Sequence, residues 1–189
     1  RNFQLLNDAG IRMIDTAYGE LASGLTGNGR MSEPEEIVGH LGNFFGKDLR
    51  LKGKKVLVTA GPTHEAIDPV RFISNHSTGK MGFAIAEALA DQGAEVNLVT
   101  GPTQQHTQHP GVSVKQVTTA KEMLEACASI FDQTDITVFS AAVADYKPSE
   151  TASQKIKKKD ENLSLTLMRT EDIAATLGKR KHNGQIIVG

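Results

Sequence analysis

The sequence has almost no cysteine and few aromatic residues. Cys127 is the single cysteine among 189 residues, so the chain cannot form an internal disulfide, which excludes a disulfide scaffold and fits a reducing cytoplasm. There is no tryptophan, and aromatic residues make up 5% of the chain, which disfavours binding of single-stranded nucleic acid by base stacking. No apolar run approaches the ~20 residues of a membrane-spanning helix. These absences favour a cytoplasmic protein without a membrane or nucleic acid partner.

The sequence also has almost no net charge. Its 21 Lys and Arg residues nearly balance its 22 Asp and Glu residues, which leaves a formal charge of −1. Such a chain has no overall field to hold nucleic acid or an anionic membrane, so any anion site must be local. Hydrophobic residues make up 39% and charged residues 23%, which is typical of a folded domain rather than a disordered chain.

Strand and helix patterns alternate from residue 55 onward. Residues 56–60 form a continuous apolar run, which is typical of a buried parallel strand. Residues 82–89 have apolar positions at helical spacing, and Gly93 is suited to end that helix. The later segments are predicted as a strand at 96–100, a helix around 123–130, a third strand at 136–142, a half-exposed strand at 163–167, a short helix at 171–177 and a further strand at 186–188. This order predicts an α/β, three-layer Rossmann-like sandwich with a mostly parallel sheet.

The first 49 residues have a different pattern. Residues 1 to about 30 are rich in glycine, a short helix is predicted from Glu33 and Pro34 through Phe45, and residues 46–54 resemble a linker. The sequence therefore predicts a short N-terminal segment, 1–49, and a main domain, 50–189. Because residues 185–189 have the pattern of a strand and its exit glycine, we expect the chain to be part of a longer polypeptide.

Three unusual loops follow the predicted strands, at residues 61–79, 101–110 and 141–148. Ligands of open α/β sheets bind at this edge. In the first loop, Gly79 and Gly82 would let the backbone approach a phosphate. Ser77 and Thr78 are placed to cap a helix whose N–H groups bind an anion. An ordinary helix start with no ligand remains the alternative.

Two well-known nucleotide motifs do not fit this loop. A P-loop needs Ser or Thr after Gly-Lys, but Met81 follows Lys80, and Ser74 stands where the motif has its first glycine. A Rossmann dinucleotide site needs a second glycine where Thr63 stands, and it needs an acidic residue at the end of the second strand, which ends in Thr100. A conventional NAD site is therefore disfavoured.

The third loop carries small residues and then charged ones. Ala141, Ala142 and Ala144 leave room for a flat ligand or a sugar, and Asp145 is suited to form a hydrogen bond with it. An Asp145 that faces only solvent is the alternative. The basic cluster at residues 155–159 is either a solvated loop or a clamp for a polyanion.

Four ordered motifs carry a specific resemblance. They are Gly-Pro-Thr-His-Glu at 61–65, Asp-Pro-Val-Arg-Phe-Ile-Ser-Asn-His-Ser-Thr-Gly-Lys-Met-Gly at 68–82, Ala-Ala-Val-Ala-Asp-Tyr at 141–146 and Lys-Ile-Lys-Lys at 155–158. Together they resemble bacterial phosphopantothenate–cysteine ligase, the second half of a bifunctional coenzyme A biosynthesis flavoprotein. Residues 27–34 are similar to the substrate-recognition flap of its first half, phosphopantothenoylcysteine decarboxylase. The resemblance implies that 1–49 is the tail of the decarboxylase domain with a linker, and that 50–189 is the N-terminal part of the ligase domain.

The resemblance implies a two-step ligation. The carboxylate of 4′-phosphopantothenate attacks CTP to give an acyl-cytidylate and pyrophosphate, and the amine of cysteine then displaces CMP. Mg²⁺ would accompany the nucleotide, whereas FMN would belong only to the decarboxylase core, which this chain does not contain. The chain alone is therefore expected neither to hold flavin nor to decarboxylate. The family also implies a homodimer of ligase domains and a higher oligomer of the longer protein.

The resemblance assigns roles to individual residues. Lys155 would neutralise charge at the α-phosphate, Asn75 would contact the acyl-cytidylate, and Arg71 would offer a planar fork to a phosphate or carboxylate. The residues expected to bind the nucleotide are Gly61, Pro62, Thr63, Ser77, Thr78, Gly79, Lys80, Ala141, Ala142, Asp145, Lys157, Asp172 and Ile173. Glu171 stands where the family has proline before Asp172. No protein-held metal is expected, because the histidines lack ligand spacing.

Several alternatives remain at this point. Lys155 could be a solvated side chain, and Arg71 could form a salt bridge with Asp68 or Glu65. The whole chain could be a Rossmann-like oxidoreductase, although its glycine pattern argues against this, or a non-catalytic fragment that only binds or assembles.

Overall fold

The computed structural model describes residues 2–21, 23–45, 49–157 and 162–189. Residues 46–48 of the predicted linker and residues 158–159 of the basic cluster therefore lie outside the described residues. The chain divides into two compact units, Arg1–Asp48 and Leu49–Gly189. Among the described residues, no helix is both long enough and apolar enough to cross a membrane.

The first unit contains two helices and a hairpin. Its elements are α1 (Asn2–Asp8), β1 (Ala17–Glu20), β2 (Thr26–Arg30) and α2 (Pro34–Phe45). β1 and β2 pair antiparallel. α2 begins at the proline that the sequence places in a first helical turn, with Glu35 and Glu36 at its positive end.

The second unit is built on a parallel sheet of five strands. The strands are β3 (Lys55–Ala60), β6 (Glu95–Thr100), β7 (Val112–Gln116), β8 (Ile136–Phe139) and β11 (Ile186–Val188). Their order is β11-β8-β3-β6-β7, and each neighbouring pair is parallel. The chain moves from β3 to β6 and β7 on one side and then returns to β8 on the other. The order therefore reverses between β3 and β8, and this reversal opens a crevice at the carboxyl ends of the two strands.

Helices cover both faces of this sheet. They are α3 (Lys80–Asp91), α4 (Ala120–Phe131) and α5 (Ile173–Gly178). Successive side chains of β3 alternate between the faces, so Val56 and Val58 belong to one core cluster with Phe83 of α3. Leu57 belongs to a second cluster with Phe131 of α4. The predicted three-layer α/β sandwich with a mostly parallel sheet is confirmed.

Two short antiparallel pairs lie in the connections. They are β4 (Glu65–Ala66) with β5 (Phe72–Ile73), inside the long first loop, and β9 (Tyr146–Pro148) with β10 (Leu167–Arg169). The prediction of a strand over 163–167 is therefore wrong in its bounds, since pairing begins only at Leu167. β7, α1 and the β1–β2 hairpin are elements that the sequence analysis did not predict.

The third predicted strand is shorter than expected. It ends at Phe139 instead of Ala142, because the backbone N–H groups of Ser140 and Ala141 donate to the buried hydroxyl of Thr59, at 3.1 and 3.2 Å. The N–H of Ala142 then donates to the carbonyl of Gly61 at 2.9 Å. The chain thus leaves the strand early and turns across the end of β3.

The single cysteine is expected to be unreactive in the native protein. Cys127 is fully buried on α4, and burial raises the pKa of its thiol to about 12, although Lys115 acts in the opposite direction. At pH 8 the thiolate should be roughly 10³-fold scarcer than in an ordinary cysteine. An aromatic disulfide reagent should therefore label it only after unfolding in guanidinium. Stoichiometric labelling of the native protein within minutes would contradict this burial.

Candidate functional site

Glycines bring the two ends of the first loop together. Gly61 follows β3 and Gly79 precedes α3, and both have left-handed backbone conformations with φ of 72° and 75°. A Cβ on Gly79 would lie 3.3 Å from the Cα of Gly61, and a Cβ on Gly101 would collide with the carbonyl of Pro62. Only glycine permits this close contact, so the loop leaves β3, forms the β4–β5 hairpin and returns to its starting point.

The start of α3 differs in two details from the sequence prediction. Gly79 itself is the N-cap residue and has no side-chain cap; the hydroxyl of Ser77 accepts from the N–H of Gly79 at 3.3 Å, just before the helix. The hydroxyl of Thr78 accepts from the N–H of Lys80, the first residue of α3, at 3.5 Å, and the carbonyl of Thr78 accepts from the hydroxyl of Thr103 at 2.6 Å. Gly82 does not approach a ligand, because a Cβ there would lie 2.5 Å from the Cβ of Ala60. Its role is the close packing of α3 on β3.

One cavity opens on the β8 side of the crevice. This β8-side cavity measures about 590 Å³ and brings together four residues that the sequence analysis singled out: Ala141, Asp145, Asp172 and Ile173. Ile173 is buried, and its side chain belongs to the second core cluster. The carboxylate of Asp172 caps α5 by accepting from the N–H of Ala175 at 2.8 Å.

The β8-side cavity is rich in acidic groups. Its acidic lining residues are Asp145, Glu171 and Asp172, and Arg169 is the cation among the lining residues. Sequence reasoning missed Arg169 and also Thr59, whose hydroxyl fixes the turn after β8. Carboxylates in such a crevice suit the hydroxyls of a ribose better than a triphosphate. The lining on this side is therefore mainly acidic and polar.

A second cavity is bordered by the Asn75 side chain. This Asn75 cavity measures about 540 Å³ and is lined by Pro62, His64, Phe72, Ser74, Asn75, His76, Ser77, Thr78 and Pro102. The amide nitrogen of Asn75 donates to the carbonyl of Val143 at 3.0 Å and, more weakly, to that of Ala142 at 3.4 Å. Val143 lines the β8-side cavity, so this hydrogen bond connects the linings of the two cavities. The NH₂ group of Asn75 is thereby engaged, and none of the hydrogen bonds described for these residues uses its Oδ1.

A third and larger cavity extends toward β7. It measures about 730 Å³ and shares His64, Ser77 and Thr78 with the Asn75 cavity. The ring of His64 stacks on Phe72 with centroids 3.9 Å apart. The rest of this third cavity is lined mainly by neutral polar residues such as Gln104 and Gln116.

Two residues of the first motif have structural contacts. Thr63 is fully buried, and its hydroxyl accepts from the N–H of Ala144 at 3.0 Å. Glu65 is also buried and accepts from the N–H of Ala120, the first residue of α4, at 2.8 Å. The side chain of Thr63 is thus placed to hold the loop after β8, not to contact a nucleotide, and Glu65 is not the partner of Arg71.

Arg71 lies beside Asp68, the other alternative considered from the sequence. Its Nε is 3.7 Å from Oδ2 of Asp68, and its Nη2 donates to the carbonyl of Ile156 at 2.7 Å. Burial raises the pKa of Asp68, but donation by the N–H groups of Val70, Ile156 and Arg71 and the positive charge of Arg71 together hold that pKa below its ordinary value. Arg71 therefore contacts the chain next to Lys155.

The predicted site residues do not form a single cluster. The Asn75 cavity is bordered by Pro62, Asn75, Ser77 and Thr78, and the β8-side cavity is bordered by Ala141, Asp145, Asp172 and Ile173. Lys155 and Lys157 are exposed on a separate segment, and Lys80 is exposed at the start of α3. Within the described ranges, no group of three or more His, Cys, Asp or Glu side chains could hold a metal ion.

Comparison with known proteins now identifies the family. The model of the DNA/pantothenate metabolism flavoprotein C-terminal domain matches residues 51–189. The chain belongs to this family. It is 46% identical to the coenzyme A biosynthesis bifunctional protein CoaBC of Haemophilus influenzae, in a match that covers the whole of this chain and 47% of that protein. It is also 48% identical to a protein named cysteine/cysteine sulfinic acid decarboxylase from an unknown prokaryote, in a match that covers the whole of this chain and 54% of that protein.

A solved structure in the family has the same fold. The crystal structure of the C-terminal domain of a coenzyme A biosynthesis bifunctional protein CoaBC superposes with a TM-score of 0.64 at 43% identity, covering 75% of this chain and 65% of that one. The resemblance that the four motifs indicated is thus confirmed at the level of the family. The chain spans about half the length of the curated relatives it matches.

Proposed function

We propose that residues 50–189 form the nucleotide-binding part of a phosphopantothenate–cysteine ligase that uses CTP. Membership of the pantothenate metabolism family and the names of the relatives support a role in coenzyme A biosynthesis. The observation that carries the proposal is the hydrogen bond from Asn75 to Val143, which connects the linings of two cavities where the strand order reverses. A ligase that joins an activated acid to an amine must hold its reactants next to each other, and two linked cavities suit that task.

The β8-side cavity would hold the base and ribose of CTP. Asp145 and the backbone of residues 172–174 are suited to the ribose hydroxyls and the base. The triphosphate would then extend toward the start of α3, where Lys80 and the first helical N–H groups supply positive charge. This arrangement keeps the phosphates away from the acidic lining of the cavity.

The Asn75 cavity would hold the pantothenate carboxylate and then cysteine. The carboxylate attacks the α-phosphate and releases pyrophosphate, which gives a mixed anhydride with a good leaving group. Lys155 would offset the charge that develops at the α-phosphate. Oδ1 of Asn75 would accept a hydrogen bond from the attacking amine of cysteine and so orient it. CMP then leaves and the amide remains.

Magnesium fits this site as a companion of the nucleotide. Mg²⁺ usually keeps several waters and binds substrate phosphates with at most one or two carboxylates, so it would lie on the triphosphate near the start of α3, whereas Asp145 faces the ribose. The ion would supply charge neutralisation on the triphosphate. The chain's own contribution is to hold the nucleotide and to exclude water from it.

The N-terminal unit would belong to the decarboxylase half of the longer protein. The family model begins at residue 51, whereas the CoaBC relatives match the whole chain. We therefore propose that residues 1–49 are the tail of that half, whose core would carry FMN.

We also propose that the ligase domain is cytoplasmic and forms a homodimer. The exposed side chains of Leu163, Leu165 and Leu167 offer an apolar surface for this contact. Analytical sedimentation would test whether the protein is a dimer.

Bound CTP should place a phosphate oxygen near the start of α3. The N–H groups of Lys80 and Met81 should lie within about 3.5 Å of it, because the first turn of a helix binds anions. Amide chemical shifts on titration with CTP would measure this. The first turn of α4 is an internal control, since Thr119, Glu122 and Glu65 already occupy it. Phosphates more than ~10 Å from Gly79, well outside hydrogen-bond reach, would contradict the placement.

Calorimetric titration with CTP, ATP and NADH tests the proposed function. Binding of CTP in preference to both others is the expected result. Binding of NADH alone would instead favour an oxidoreductase, and the absence of binding to all three would favour a non-catalytic role. Each outcome leads to a different class of protein, so the titration separates the alternatives that the sequence leaves open.

A further inference from the structure

The segment that carries Lys155 is tied to the first loop by two neighbouring charged residues. The N–H of Ile156 donates to Oδ2 of Asp68 at 3.1 Å, and the carbonyl of Ile156 accepts from Nη2 of Arg71 at 2.7 Å. Both polar groups of one residue are therefore held by one Asp–Arg pair. Ile156 directly follows Lys155, so the pair fixes the backbone from which the lysine extends.

Asp68 is built into the protein as an acceptor. Its side chain is fully buried, and its Oδ1 also accepts from the N–H groups of Val70 and Arg71, at 2.8 and 2.9 Å. The two oxygens thus have separate roles, since Oδ1 forms the turn of the β4–β5 hairpin and Oδ2 reaches across to the later segment. A buried carboxylate with this many N–H donors is firmly oriented.

The rest of the segment is attached to the same hairpin. The N–H of Ala152 donates to the carbonyl of Ile67 at 3.0 Å, and the hydroxyl of Thr151 donates to the carbonyl of Ala66 at 3.1 Å. These two contacts hold the start of the segment, whereas the Ile156 contacts hold the end next to Lys155. Loss of the Ile156 contacts alone would release Lys155 and leave the start of the segment in place.

We propose that Asp68 is a positioning residue for Lys155, acting with Arg71 through Ile156. Arg71 then contributes by holding the segment and not by contacting a phosphate. This inference rests on the proposed function, because it takes Lys155 as the group that offsets charge at the α-phosphate. It differs from that proposal in giving the Asp-Pro-Val-Arg motif a role at a distance from the nucleotide.

Asp68→Asn separates the two roles of the carboxylate. The amide oxygen of asparagine should turn to the two donors, Val70 and Arg71, and its NH₂ would then face the N–H of Ile156, which is also a donor. The hairpin turn is kept and the contact to the segment is lost. Asp135→Asn is the matched control. The carboxylate of Asp135 also accepts from a backbone N–H, that of Lys55, and from a cation, the Nζ of Lys54, but it lies at the amino end of the sheet.

Three measurements on the full-length protein test the proposal. In Asp68→Asn, the Ile156 amide should exchange with solvent roughly 10- to 100-fold faster, as expected when a hydrogen bond to a charged group is lost. Trypsin should also cleave more rapidly after Lys155. Pyrophosphate release should slow by up to ~10²-fold in kcat, with KM for CTP nearly unchanged, because a small misplacement of a catalytic group is costly. Asp135→Asn should change none of the three.

Three results would overturn the proposal. Normal exchange at Ile156 in Asp68→Asn would show that other contacts hold the segment. Faster exchange with normal pyrophosphate release would show that the position of Lys155 is unimportant. If the wild-type protein released no pyrophosphate from CTP, the proposed function would fail and this inference with it, and the exchange data would still report whether Asp68 holds the segment.

Discussion

Asn75→Asp is expected to give a folded protein that forms the acyl-cytidylate but passes it to cysteine ~10²–10³-fold more slowly. The amide nitrogen of Asn75 donates to the carbonyls of Val143 and Ala142, and a carboxylate cannot donate to either of them. The new anion would turn away from these carbonyls and would also lie near the phosphate of the intermediate. The carboxylate can still accept a hydrogen bond, but it would no longer be held in the position that orients the amine of cysteine.

Rapid-quench analysis with labelled CTP measures this effect. The labelled intermediate should persist after cysteine is added to Asn75→Asp, whereas the wild-type protein should consume it at once. Asn183→Asp is the control, because it adds the same charge in an exposed turn away from the described cavities. The loss of the two hydrogen bonds of the Asn75 amide should lower the free energy of unfolding of Asn75→Asp by about 1–3 kcal/mol. Normal consumption of the intermediate by Asn75→Asp would show that Asn75 has only a structural role.

Lys155→Gln should slow formation of the acyl-cytidylate by ~10²–10³-fold, the usual cost of removing one stabilising charge. Its effect on folding should stay within ~0.5 kcal/mol, because Lys155 is exposed. Pyrophosphate release in the first turnover is the measurement. This variant should be slower than Asp68→Asn, in which the charge remains but its position is less well defined.

The control for this prediction removes the same charge elsewhere. Lys121 lies on the exposed side of α4, where its Nζ is 3.9 Å from a carboxylate oxygen of Glu125. Such an exposed pair contributes little, so Lys121→Gln should release pyrophosphate at the wild-type rate. The same rate in Lys155→Gln would exclude Lys155 from the first step.

The layered architecture could be predicted from the sequence because it depends on hydrophobic patterning. The apolar runs at 56–60 and 96–100 and the helical spacing after Gly82 are strong signals, and the structure places strands and a helix there. β7 was missed because only one of its residues, Val112, is even half-buried in the structure. The alternating leucines at 163, 165 and 167 misled the prediction, since all three are exposed and pairing begins only at the last of them.

The candidate site was predictable only in part. Sequence motifs identified Asn75 and Asp145 as residues of interest, but they could not show that the Asn75 amide donates to the Val143 carbonyl. Gly82 was interpreted as a phosphate contact, although its close packing on Ala60 depends on the distance between a helix and a strand. The role of Asp68 depends on a contact with Ile156, 88 residues later, which no local pattern encodes.

The most direct test of the proposed function is a single-turnover reaction with CTP labelled at its α-phosphate. Full-length protein, labelled CTP and 4′-phosphopantothenate should give a labelled acyl-cytidylate and one equivalent of pyrophosphate in the absence of cysteine. Addition of cysteine should then convert the label to CMP as the amide forms. A protein that binds CTP but forms no labelled intermediate, or that forms the amide with ATP and not with CTP, would contradict the proposed function.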